Sequence, residues 1–129
     1  MAAQTPEALH RAWSDRFNAG DLDGLLELYD PNALLMAQPG KTVQGHTAIR
    51  EALGGFLALK GTFALTFQTA LQTGDTALIF SRWTLSGGQS PDGPVSLAGQ
   101  TSDVARRQAD GGWLIMIDNP FGGQGADAA

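Results

Sequence analysis

Residues 62 to 85 read TFALTFQTALQTGDTALIFSRWTL, and their period is two. Phe63, Leu65, Phe67, Thr69 and Leu71 alternate with smaller or polar residues, as in a strand that buries one face. Gly74-Asp75 turns the chain into a second strand, 76 to 85. Upstream the period is 3.6. Thr5 can cap a helix with Pro6 in its first turn and Glu7 near the positive end of its dipole. Along it Leu9, Trp13 and Phe17 recur every fourth residue, and Ala19-Gly20 ends it. Asp21 caps a second, short helix whose Leu22, Leu25, Leu26 and Tyr29 face inward, and Asp30-Pro31-Asn32 stops it. ALLMAQ (33 to 38) is then a buried strand, and Lys41 to Gln44 a short one returning from Pro39-Gly40. A third helix carries Ile49, Leu53, Phe56 and Leu57, weakened by Gly54-Gly55. After the paired strands, GGQSPDGP (87 to 94) is a loop, and strands follow at 95 to 108 and 113 to 119. Three helices followed by long antiparallel strands make one α+β domain, residues 5 to 122, with flexible segments at 1–4 and 123–129.

The last two strands hold the sharpest chemical signal. A turn at Asp110-Gly111 pairs Val104 with Ile117 and Asp103 with Asp118, and two facing aspartates repel. Alternation puts Val104, Trp113, Ile115 and Ile117 on one face and Ala105, Leu114 and Met116 on the other, with both aspartates. A sheet that is apolar on both faces needs two covers. The helices supply one, and a second copy of the chain supplies the other, a homodimer through Trp83, Val104, Trp113, Ile115 and Ile117.

With 43% hydrophobic residues, a net charge of −5 and no lysine or arginine run, the chain is not built for nucleic acid or an anionic membrane. The absence of cysteine excludes disulfides and thiolate chemistry. No secretion signal opens the chain, so a cytoplasmic location is expected. PGKT at 39 to 42 lacks the earlier glycine of a phosphate loop, that place being Leu35, and no Gly-x-Ser-x-Gly elbow is present.

Two carboxyl groups that close tend to share one proton, which suits acid–base work near neutral pH. Asp103 and Asp118 are therefore the candidate catalytic pair. Arg82, or Arg107, would tune them or hold an anionic group. Two other arrangements stay open: an internal arginine–aspartate network that fixes register, and a solvated Asp118 at the end of the sheet. Trp13, Phe17, Phe56, Phe80 and Met116 are candidates to line a ligand cavity. His10 is expected to be solvated on its helix and His46 to help the chain turn. Two histidines on separate helices make no metal site, and no cofactor is called for.

AWSDRFNAGDLDGLLELYDPNALLM, QGHTAIREAL and TSDVARRQADGGWLIMIDNPFG together resemble the SnoaL-like branch of the nuclear-transport-factor-2-like, ketosteroid-isomerase-like superfamily. The resemblance runs from about Pro6 to Gly122 and rests on order and spacing rather than on one motif. It implies a cone, in which a curved antiparallel sheet wraps three helices around a pocket, and a dimer through the outer face. Set beside the ketosteroid isomerases, Asp103 falls at the acid that donates a hydrogen bond to a developing oxyanion. The oxyanion tyrosine is replaced by Trp13, and the general base by Ala37, which cannot take a proton. Steroid isomerisation by that arrangement is not expected. The resemblance instead implies a pocket for a small, partly apolar molecule, used by a cofactor-free acid–base enzyme of isomerase, cyclase or hydratase type. The alternative is a non-catalytic binding or dimerisation module on the same fold.

Overall fold

Thr5 caps the first helix as its position suggests, its hydroxyl accepting from Ala8 N at 3.0 Å. The computed structural model describes residues 3–123, and within them the helices are α1 (Pro6–Asn18), α2 (Leu22–Leu26) and α3 (His46–Ala58). The strands are β1 (Tyr29–Gln38), β2 (Lys41–Gln44), β3 (Thr62–Thr73), β4 (Thr76–Ser90), β5 (Gly93–Arg107) and β6 (Trp113–Asp118). They form one curved, unclosed sheet in the order β2-β1-β6-β5-β4-β3. Every neighbouring pair is antiparallel except β1 and β6, which run parallel. The helices lie on one face, where Leu9, Phe17, Leu25, Ile49 and Leu53 pack with Ile79, Leu85 and Ile115. Burying such side chains is the main force holding helices to sheet.

Four local features differ from the sequence reading, and each decides where a side chain points. Tyr29 does not close α2. It opens β1, and the strand continues through Pro31, which its bulged pairing with β6 tolerates. The segment 87–94 is not a loop: β4 and β5 run on to a tight turn at Pro91-Asp92, with a bulge beside Gly87, whose φ is +79°. In β3 a bulge at Gln68 turns Leu71 outward, where it is 61% exposed, instead of continuing the buried alternation.

The fourth feature concerns the aspartates. The last loop is one residue longer than a four-residue connection, so Arg107 pairs with Trp113 and Ala105 with Ile115. A bulge at Met116 then restores the expected register, and Val104 faces Ile117 as anticipated. Between loop and bulge, however, the faces are exchanged. Trp113 and Ile115 are buried in the core, as is Trp83, so these three do not belong to the outer face. Val104 and Ile117 do. The outer face carries a continuous apolar row across five strands: Leu71, Leu78, Val104, Ile117 and Leu34.

Candidate active site

Between helices and sheet lies a cavity of about 70 Å³. Its walls are aromatic: Trp13 and Phe17 from α1, Phe56 from α3, Phe63 from β3, Trp83 from β4, and Phe121 just beyond β6. The rings form a chain, with Trp13 stacked on Phe17 at 5.2 Å and Phe63 on Trp83 at 5.7 Å between centroids. Both wall indoles have spent their N–H groups, Trp13 on Tyr29 Oη at 2.9 Å and Trp83 on the Pro120 carbonyl at 2.7 Å. Gly99 makes room for the second of these, since a Cβ there would lie 2.7 Å from the Pro120 oxygen. The walls therefore offer a ligand ring faces and little else.

Polar groups converge on this cavity: His10, Thr101, Asp103 and Asp118. Asp103 is 4% exposed and accepts three hydrogen bonds. Thr101 Oγ1 (2.5 Å) and Asn119 N (2.8 Å) donate to Oδ1, and His10 Nε2 (2.8 Å) donates to Oδ2. His10 Nδ1 meets Ser81 Oγ at 2.8 Å. The nitrogen facing the carboxylate carries a proton, and in the neutral ring Nδ1 accepts from the serine. Serine, histidine and aspartate thus stand in line, but Ser81 is fully buried and does not line the cavity, so it is no nucleophile.

Asp118 has a different environment. It is 7% exposed, and it accepts from Tyr29, whose hydroxyl lies 2.5 Å from Oδ2. Burial first, and then the neighbouring Asp103, push its carboxyl well above the usual carboxylate range, with the Tyr29 hydrogen bond pulling the other way. The polar contact with Asp103 adds to the same upward push. Tyr29 itself is raised well above 10, by burial and then by Asp118. Of the two carboxyls, Asp118 is the one that burial and its neighbour drive toward the protonated form.

The sequence thus located both aspartates together on the helix-covered face, with Trp13, Phe17 and Phe56 beside them. It misplaced three others. Phe80 and Arg82 alternate with the buried Ile79, Ser81 and Trp83 and so face outward, and Met116, at the bulge, lies in a shallow outer groove with Val104 and Ile117. Arg107, opposite Trp113 at the end of β5, lies outside the cavity, paired with Asp75 at 2.7 Å and set over the Trp113 ring. Among the described residues no lysine or arginine lines the cavity, so no arginine–aspartate network forms there. Asp118 is buried rather than solvated. His10, expected in solvent, is 3% exposed at the centre of the network, and Tyr29 was missed altogether. His46 packs its ring nitrogen against the Tyr29 carbonyl at 2.9 Å, tying α3 to β1. Among the described residues no group of three or more histidine, cysteine or acidic side chains is arranged to hold a metal ion.

Comparison with known proteins agrees with this architecture. A candidate calcium/calmodulin-dependent protein kinase type II association domain from Thiobacillus denitrificans superposes with a TM-score of 0.76, at 19% identity over 92% of this chain and 95% of that one. A candidate dehydratase of the NTF2-like family from Streptomyces avermitilis gives 0.71, at 19% identity over 87% and 89%. A ketosteroid isomerase-like protein from Erwinia carotovora atroseptica gives 0.69, at 19% identity over 87% and 88%. At such identities the likeness is one of fold. No protein of curated function matches the sequence. The model of the SnoaL-like domain matches residues 10–114, most of the chain and all but one strand of the sheet, and the protein belongs to that family.

Proposed function

We propose that the cavity takes up a small, flat, uncharged molecule carrying a carbonyl or similar oxygen, and that Asp118 and Asp103 move a proton on it without a cofactor. The observation that carries this is the buried pair of neighbouring carboxyls, with that of Asp118 held above the usual carboxylate range, at the polar side of an aromatic cavity. Asp118 supplies a proton, or a hydrogen bond, to the oxygen where charge develops, and Asp103 is the acceptor that takes a proton from carbon or hydroxyl. His10, Thr101 and Asn119 hold Asp103 in place. Aromatic faces favour a planar ring system, and the lack of a lining cation disfavours carboxylates and phosphates, whose burial would go uncompensated. Isomerisation of an enolisable ketone and dehydration of a hydroxyketone both fit such a pair, and solved structures of this fold include a candidate dehydratase and an isomerase-like protein. Steroid isomerisation by the familiar residues remains disfavoured, because Ala37 stands on the inner face where a base would be needed.

The test is a thermal-shift screen of neutral cyclic ketones and enones, followed by solvent-deuterium exchange at the α-carbon of those that bind. Binding with enzyme-dependent exchange is expected. Binding without exchange would instead make this a carrier. If nothing binds, a pocket function is ruled out for this chemical class.

We also propose that two copies associate through the outer apolar row, of which Leu71 is 61% and Ile117 41% exposed. Sedimentation should give a dimer for the parent chain and a monomer for Ile117→Asp. A parent that sediments as a monomer at micromolar concentration would refute this.

A further inference from the structure

Trp13 does more than its place in the aromatic wall explains. Its indole Nε1 donates to Tyr29 Oη at 2.9 Å, and Tyr29 donates to Asp118 Oδ2 at 2.5 Å. An indole nitrogen cannot accept a hydrogen bond, so the direction of this relay is fixed at its outer end. Tyr29 must receive from Trp13, and its single proton is therefore committed to Asp118. With Oδ2 occupied as the acceptor of the Tyr29 proton, the place left for an acid proton on Asp118 is Oδ1. We infer that Trp13 is a positioning residue, acting through Tyr29 to keep the acid proton of Asp118 on Oδ1, the oxygen left for Asp103 and for a bound molecule. The inference rests on Asp118 being the proton donor of the site.

Without the indole N–H, the Tyr29 oxygen becomes an open acceptor, and Asp118 can turn its proton away from the cavity onto it. Removing that N–H also makes Tyr29 a weaker donor, because hydrogen bonds in a chain polarise one another. A weaker donor stabilises the carboxylate less, and the proton of Asp118 is held more tightly. The titratable groups around Asp118 are few: Tyr29 from β1, Asp103 from β5, and His10 from α1 behind Asp103. From α3, the ring of His46 meets the Tyr29 main chain rather than the hydroxyl.

The experiment follows the Asp118 side-chain carboxyl by carbon-13 NMR across pH. Its midpoint should rise in Trp13→Phe and rise further in Tyr29→Phe. In the double variant, Trp13→Phe should add nothing, since its influence passes through the phenol. Loss of packing alone would lower stability at every pH without moving the midpoint. An unmoved midpoint in Trp13→Phe, or an additive shift in the double variant, overturns the inference. Should Trp13→Phe fail to fold, the parent provides a second measurement. The Trp13 indole N–H resonance should titrate together with Asp118 and cease to do so in Tyr29→Phe. An indole resonance that ignores Asp118 overturns the relay while leaving the acid in place. If Asp118 of the parent titrates as an ordinary carboxyl, the proposed function falls, and the relay falls with it.

Discussion

Replacing His10 by leucine should lower the stability of the fold by about 3–5 kcal/mol, the usual cost of breaking a buried, hydrogen-bonded pair from one side. For a chain of 129 residues that corresponds to a melting temperature lower by roughly 10–20 °C. Leucine fills much of the same space, so the loss comes from what it leaves behind. Asp103 keeps Thr101 and Asn119 but loses the donor on Oδ2, and Ser81 loses the ring nitrogen that occupied its hydroxyl. Both groups remain buried, and a buried polar group without a partner costs more than the bond had contributed. His10→Gln, which can still donate toward Asp103, should recover part of the loss. Thermal unfolding followed by circular dichroism provides the check. Equal losses for leucine and glutamine would mean that ring packing, not hydrogen bonding, fixes this histidine.

The second large effect concerns Asp118→Asn. Because burial raises the Asp118 pKa in the folded chain, the native state holds a proton that the unfolded chain releases near its ordinary value of 3.8. The contribution of that proton is complete below 3.8 and is lost as pH rises through the higher, folded value. Between those limits the parent should lose up to about 1.4 kcal/mol of stability per pH unit. Asparagine has nearly the shape of the protonated acid, with an acceptor for Tyr29 and a donor for Asp103. Its variant should show no such slope and should be the more stable protein once the parent acid has ionised. It should also lose about 10²–10⁴-fold in solvent exchange of a bound ketone, since an amide cannot give up a proton. Urea unfolding at a series of pH values tests the first part, and exchange kinetics the second. A variant less stable than the parent at high pH would make Asp118 an ionised structural partner and end its candidacy as the acid.

Much of the fold was legible because it is written in periods. The stripe of Leu9, Trp13 and Phe17 and the alternation of Phe63, Leu65 and Phe67 each follow from the geometry of one element. What the sequence hid was single-residue irregularity. Gln68 and Met116 carry no glycine or proline to mark a bulge, yet the two bulges turned Leu71 outward and set Met116 apart from the aspartates. Arg82 and Phe80 were misplaced for another reason: one strand apolar on both faces gives no sign of which face is inner. His10 was the avoidable error. It stands three residues before Trp13 and seven before Phe17, on the buried stripe itself, and a polar residue at such a place needs a partner inside. Tyr29, the one tyrosine of the chain, was taken for the end of a helix. Only the parallel pairing of β1 with β6 explains why it meets Asp118.

The final hairpin has the property of a parity check. Its long loop shifts the strands by one place and the bulge at Met116 shifts them back, so the two irregularities cancel before the chain reaches Asp118. An insertion between Arg107 and Trp113 can be absorbed by the loop and leaves the acid where it is. One between Trp113 and Asp118 inverts it, delivering the carboxyl to the outer apolar row and leaving Asp103 alone in the cavity. Natural variants of the hairpin should therefore differ in length almost entirely on the loop side of Trp113, because on the other side an odd change moves Asp118 to the wrong side of the sheet.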